Sequence, residues 1–188
     1  MGHLEPDPAA ARSPLNAAGR AGRRRRLTVG IGLAGALLAA GCAGTTMGLF
    51  SGQRPARLGV IDGRLQPIDT SKRNAVSSLA EGSHRIDPLA AGDDPAAGFE
   101  RLAAIVAAQP RATVIERSLT YLYAEFRSRW FGFVDDVEFL LDADARLIHV
   151  RSASRLGYSD LGVNRDRIEH LRAALLAQSH PGSGQRAP

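Results

Sequence analysis

Cysteine is nearly absent from this chain: Cys42 is the single thiol in 188 residues. A domain built from the rest has no disulfide staple and relies on its core. Lysine is as scarce. Lys72 stands alone, so arginine carries almost all the positive charge, a bias of composition rather than of chemistry. From Cys42 onward there is no charge excess to speak of, with 18 basic residues against 17 acidic. A basic patch able to hold nucleic-acid phosphates is therefore missing, and that class of partner is excluded. The net charge of +5 arises upstream, where residues 1–26 hold six arginines and two acids. No internal repeat is present. No serine or cysteine stands beside a base at the spacing of a catalytic nucleophile.

What is present first is an export pattern. Arg23 to Arg26 precede an uncharged run from Leu27 to Gly41, which ends Leu38-Ala39-Ala40-Gly41-Cys42. A basic region, a short apolar region and small residues at its end read as a signal segment over residues 1–41. Small residues let a peptidase draw extended backbone into its site. The thiol that follows is the nucleophile that would take a diacylglyceryl group. Cys42 is accordingly the expected lipidation site, although Ala39 stands where the lipid-anchor pattern prefers leucine. Two other readings stay open. The charge-free stretch from Leu27 to Phe50 is 24 residues, and about 20 apolar residues span a bilayer, so an uncleaved anchor helix fits too. Simple cleavage is the third. All three export the remainder and expect it at a membrane, facing the periplasm. Arg24-Arg25-Arg26-Leu27 also half-matches a twin-arginine signal.

The remainder is long enough for one domain with a real core. Residues 42–56 read as a Gly/Thr/Ser tether, 57–178 as the domain and 179–188 as a polar tail. Residues 57–93 hold short apolar pieces cut by Gly, Pro and Asp, expected to wrap on something else as loops and short edge strands. Asp94-Pro95 is an N-cap followed by proline at the first helical position. Phe99, Leu102, Ile105 and Val106 continue at helical spacing until Gln109-Pro110. Ala112 to Glu116 is a short strand. Thr120 to Arg129, Phe133 to Leu141 and Arg146 to Arg155 alternate as three more. Asn164 is expected to cap a last helix with Ile168, Leu171 and Leu175 on one stripe. The order gives an α+β domain: an antiparallel meander of about four strands with two helices on one face.

Turn lengths suggest registers. A four-residue loop at 142–145 sets Phe139 against Ile148, Asp136 against Arg151 and Glu138 against His149. A loop at 130–133 sets Arg127 beside Asp136. One row then reads Arg127, Asp136, Arg151. It is either a set of cross-strand ion pairs on a solvated face or the polar floor of a groove. With Arg155 nearby, these four are the candidate contacts for a small anionic ligand. A hydrolase or lyase using Glu125, Glu138 and His149 is the alternative, since paired carboxylates raise one another's pKa when buried. Asp135, Asp136 and Glu138 with His149 make a poor metal cluster, because Asp135 and Asp136 point to opposite faces of one strand. No cofactor is implied. Ser159-Asp160 reads as a turn or cap. His84, His170 and His180 read as surface residues, and Tyr121, Tyr123 and Trp130 as edging the sheet.

The run from Arg151 to Arg165, following Glu125-Phe126-Arg127-Ser128-Arg129 and Phe133-Val134-Asp135-Asp136-Val137-Glu138-Phe139, resembles the family called domain of unknown function 1499. The resemblance covers about residues 57–177, with Leu58-Gly59-Val60 and Gly63-Arg64-Leu65 also fitting. Where that family commonly reads Pro-Asn-Cys-Val-Ser-Ser, this chain has Arg73-Asn74-Ala75-Val76-Ser77-Ser78, so any role of that cysteine is absent. The resemblance implies an envelope protein, often lipid-anchored or exported, and no particular reaction. The combined expectation is an envelope lipoprotein acting as a non-catalytic binding or structural module, whose partners are the membrane and an anionic ligand or envelope protein.

Overall fold

A computed structural model describes residues 50–179, together with Gly2. Cys42, the Leu27–Gly41 run and residues 180–188 of the polar tail lie outside the described residues. Among those described, no helix is long and apolar enough to cross a membrane.

Among the described residues eight strands and two α-helices follow one another: β1 (Val60–Ile61), β2 (Arg64–Leu65), β3 (Ala75–Ser77), β4 (Leu89–Ala90), α1 (Pro95–Ala107), β5 (Ala112–Arg117), β6 (Tyr121–Arg127), β7 (Val134–Asp142), β8 (Leu147–Ser154) and α2 (Val163–Ser179), with a 3-10 turn at Gly82–His84. The α+β expectation holds, but the strand count was low. The main sheet has six strands in the order β3-β8-β7-β6-β5, with β4 also paired to β8, and β1-β2 is a separate hairpin. The extra strands come from the broken apolar pieces before residue 94. Each is too short to show a period of two, and each is held by pairing to the long edge of β8.

Helix α1 forms where its cap and proline direct. The Asp94 side chain accepts the Ala97 N–H at 3.0 Å, and the helix stops at Ala107, just short of Gln109-Pro110. Gly98 lies where a Cβ would come 1.8 Å from the Ala91 carbonyl oxygen, so only glycine lets α1 approach the chain after β4. Phe99, Leu102, Ile105 and Val106 of α1 join Ile168, Leu171 and Leu175 of α2 over Leu122, Ala124, Val137, Phe139, Ile148 and Val150 of the sheet. Both helices thus cover one face, as the alternation required. The Asn164 cap was misread. Asn164 lies inside the first turn of α2, and Asp160 holds the helix entry by accepting the N–H groups of Gly162 (3.1 Å) and Asn164 (2.8 Å).

The registers differ from expectation by two residues on both sides of β7. Glu138 faces Arg151 and Asp136 faces Ala153 across β8. Across β6, Glu125 faces Asp136, Tyr123 faces Glu138 and Arg127 faces Val134. A shift of two keeps every side chain on its face, so the hydrophobic pattern cannot detect it. The turns decide it. Arg146 adopts a left-handed φ of 55° and belongs to the loop, which Asp142 closes by accepting the Ala145 N–H at 2.9 Å. At the other end Ser128 Oγ accepts the Phe133 N–H at 3.0 Å, extending that loop over 128–133. The row Arg127, Asp136, Arg151 is therefore not formed.

Candidate functional site

The second face of the sheet is neither solvated nor an open floor. Leu65 packs there on Tyr121 and Tyr123, with Leu58 and Leu140 alongside. The stretch expected as tether is described from Phe50 onward and lies against the domain: the Phe50 ring sits 5.5 Å from that of Phe133, and Arg54 reaches Glu125. Beneath this cover are charged groups that strand alternation forces to one side: Glu125 from β6, Asp136 and Glu138 from β7, and Arg151 from β8. All four are buried.

Glu125 and Asp136 lie directly opposite one another, an arrangement that repels unless a cation stands between. Arg155 is that cation. Its Nη2 donates to Glu125 Oε1 at 2.6 Å and to Asp136 Oδ1 at 2.7 Å, and its Nε to Asp136 Oδ2 at 2.9 Å. Tyr123 donates its hydroxyl to Asp136 at 2.6 Å. Arg54 closes the outer side, donating to Glu125 Oε1 at 2.6 Å with its guanidinium 5.4 Å from the centre of the Tyr123 ring. Burial pushes the Glu125 carboxyl up, but the hydrogen bonds of Arg54 and Arg155 outweigh it and leave the pKa below the usual value. The bond to Asp136 holds Arg155 all the more firmly in its charged form, against the opposing effect of burial.

A second knot adjoins the first. Glu138 accepts from Arg151 Nη1 (2.8 Å), the Tyr121 hydroxyl (2.8 Å) and the Gly59 amide (2.6 Å). Burial, then the neighbouring carboxylates, raises both Tyr121 and Tyr123 far above an ordinary phenol, so both stay protonated as donors. One donor is left over. Arg151 Nε is buried and has no hydrogen-bond partner among the described residues.

Arg151 and Arg155 also form part of the wall of a cleft of about 490 Å³ beside β8, which Arg57, Asp69, Lys72 and Asn74 line as well. Of the four residues expected to hold an anion, the structure brings these two to one cleft. Asp136 is sealed beneath Arg155. Arg127 lies apart, half-exposed, with a 3.4 Å contact to Glu125.

The acid–base candidates are not assembled. Glu125 and Glu138 belong to separate knots, the first held by arginines and the second by Arg151, the Tyr121 hydroxyl and the Gly59 amide. His149 faces Leu140 across β7, and its Nδ1 pairs with Ser78 Oγ at 3.2 Å. Among the described residues no group of three or more His, Asp or Glu could hold a metal. Asp135 does lie on the opposite face, bonded to Arg167 of α2 at 2.5 Å. Ser159-Asp160 forms the expected turn, with Ser159 Oγ accepting the Leu161 N–H at 3.2 Å. His170 is exposed, but His84 donates to the Ala75 carbonyl at 2.9 Å.

Several site residues escaped sequence reading. Tyr121 and Tyr123 were expected at an edge, yet β6 is an inner strand and both are buried. Their signal was present: alternation puts tyrosine and glutamate on one face. Arg54 and Arg57 gave no signal, since both stand in loop-like sequence. Asn164 is a hub rather than a cap. Its Nδ2 donates to the Asn74 carbonyl (3.1 Å), Asp160 (2.8 Å) and Ser154 Oγ (2.9 Å), and its Oδ1 accepts from Ser152 Oγ and Arg167.

The family model described as Protein of unknown function (DUF1499) matches residues 66–175, and the chain belongs to that family. The match begins after the β1-β2 hairpin, so Arg54 and Gly59 reach the network from outside it. No curated protein and no solved structure matches.

Proposed function

We propose that this DUF1499 protein is an envelope module that binds a small anionic ligand without transforming it, held at the periplasmic side of a membrane through a lipid on Cys42. The cleft beside β8 carries the binding reading. Arg57, Lys72, Arg151 and Arg155 stand in its wall against one acid, Asp69. Arg151 and Arg155 cannot turn away, because Glu138 and Asp136 fix them from behind. Arg151 Nε is a buried donor without a partner among the described residues, a state that costs about 1–3 kcal/mol, and an anion on the Arg151 guanidinium changes its surroundings. Fixed guanidinium groups are also suited to carboxylate or phosphate, because their donor geometry is preset. Arg57 and Lys72 are exposed, with Lys72 Nζ 3.5 Å from Asp69, and add positive charge to the wall. Glu125 is held by arginines, and Glu138 by Arg151, the Tyr121 hydroxyl and the Gly59 amide, which supports binding over acid–base chemistry. The membrane reading is supported by Arg23–Arg26, the apolar run and Cys42.

Native mass spectrometry of the full chain, extracted gently in detergent from an expressing bacterium, tests this reading. A retained anion, lost in the Arg57→Ala/Lys72→Ala double variant, is the expected result. An apo mass, with no adduct after adding millimolar inorganic phosphate or citrate, overturns it.

A further inference from the structure

Large apolar side chains stand exposed at one end of the sheet. Phe133, Leu156 and Val163 line a small cavity of about 180 Å³. The Phe131 ring lies 6.0 Å from that of Phe133, and the Phe50 ring lies 5.5 Å from it. Gly52 continues this contact, so near that a Cβ there would sit 3.1 Å from Leu156 Cγ. In the same 128–133 loop Trp130 is 71% exposed, with the Arg129 guanidinium 4.9 Å from its ring centre. That loop contains no acid. The two acids in the cavity wall are occupied, Asp135 by Arg167 and Asp160 by the entry of α2. The rim is thus apolar with a cationic edge.

We propose that this rim rests in the headgroup layer of an anionic phospholipid surface, with Trp130 and Phe131 at the interface and Arg129 toward the phosphates. Aromatic rings with an arginine beside them suit that layer, where one side is apolar and the other wet. Charge complementarity favours lipid, and so does the course of the chain. Phe50, where the described domain begins, lies inside the rim, and Cys42 is eight residues upstream. Eight residues reach at most about 28 Å. A lipid on Cys42 therefore keeps the rim at the root of the tether. The proposal rests on the membrane-anchored reading above, and its test separates the two.

Trp130 is the sole tryptophan, so intrinsic fluorescence reads this position alone. The full chain is reconstituted into phosphatidylethanolamine/phosphatidylglycerol vesicles, with and without brominated acyl chains. Intact mass is measured on the same preparation. The expected result is a blue-shifted emission, strong quenching by brominated lipid and a several-fold loss of iodide quenching. Phe131→Ser, at an exposed position, should reverse much of this with the melting temperature unchanged. Trp130 open to iodide and blind to brominated lipid on an anchored chain overturns the rim and leaves the anchor standing. Protection that depends on protein concentration, without brominated-lipid quenching, assigns the rim to a second copy and overturns the proposal. A mass showing neither lipid on Cys42 nor the intact N-terminus overturns the anchor instead, and the rim is then decided by the same quenching with the chain added to preformed vesicles.

Discussion

Arg155 illustrates how one side chain can decide whether a sheet face is viable. Without it, Glu125 and Asp136 would face each other as two buried carboxylates. Removing one partner of a buried ion pair typically costs about 3–5 kcal/mol, because the remaining charge has no solvent. Arg155→Ala should lose stability of that order in urea unfolding at neutral pH. Arg127→Ala should change stability by less than about 1 kcal/mol, since the side chain is half-exposed and its one acidic contact is long. At this scale the sequence was legible in part. Alternation placed Glu125, Asp136, Glu138 and Arg151 on one face correctly. Which of them touch depends on register, and the Arg127 row failed for that reason. The contributions of Arg54 and the Gly59 amide were invisible, because a loop contact with a strand 71 or 79 residues away leaves no periodic trace.

Elements were more legible than their pairings. Helix α1 could be read from Asp94-Pro95 and its apolar stripe because cap and periodicity agree. Strands β6, β7 and β8 could be read because each is long enough to alternate. The two-residue register shift arose in the turns, through Arg146 in a left-handed conformation and Ser128 closing the 128–133 loop. Two substitutions probe these joints. Gly98→Ala drives a Cβ into the Ala91 carbonyl and should cost about 1–3 kcal/mol despite the better helix propensity of alanine. Asn164→Ala removes the hub joining α2, β8 and the β3 approach. It should cost about 1–3 kcal/mol for each buried group left without a partner, read from the urea midpoint. Ser152, Ser154, Asp160 and Asn164 fall within the run that carries the family resemblance, and here they hold loops together. A run that specific can therefore identify a fold while saying little about a reaction.

Across the whole molecule, one face of the sheet holds a buried charged network, and this gives stability a predictable dependence on pH. The Glu125 pKa is lowered on folding, so its contribution is complete above the ordinary value of 4.5 and is lost as pH falls below it. Tyr121 and Tyr123 are raised on folding. Their contribution is complete below pH 10 and is lost as pH rises beyond it, when the unfolded chain ionises first. Stability measured by urea midpoint should therefore hold a plateau between about pH 5 and 10 and fall on both sides. Tyrosine absorbance should show two phenols ionising only as the protein unfolds. The sequence alone led to the expectation of an exported, membrane-held domain and to the finding that charge from Cys42 onward is balanced. It did not reveal that a covering segment turns a sheet surface into a buried network flanked by an arginine cleft.

The spare donor of Arg151 is where that account is most exposed to refutation. Side-chain Nε–H resonances of the arginines, followed by nitrogen-15 NMR on the full chain in detergent while inorganic phosphate is added at constant ionic strength, read it directly. A saturable shift of the Arg151 signal, weakened by Lys72→Ala, is predicted. An Arg151 signal that stays fixed while the protein remains folded would contradict the anion cleft and leave the network as a purely structural core.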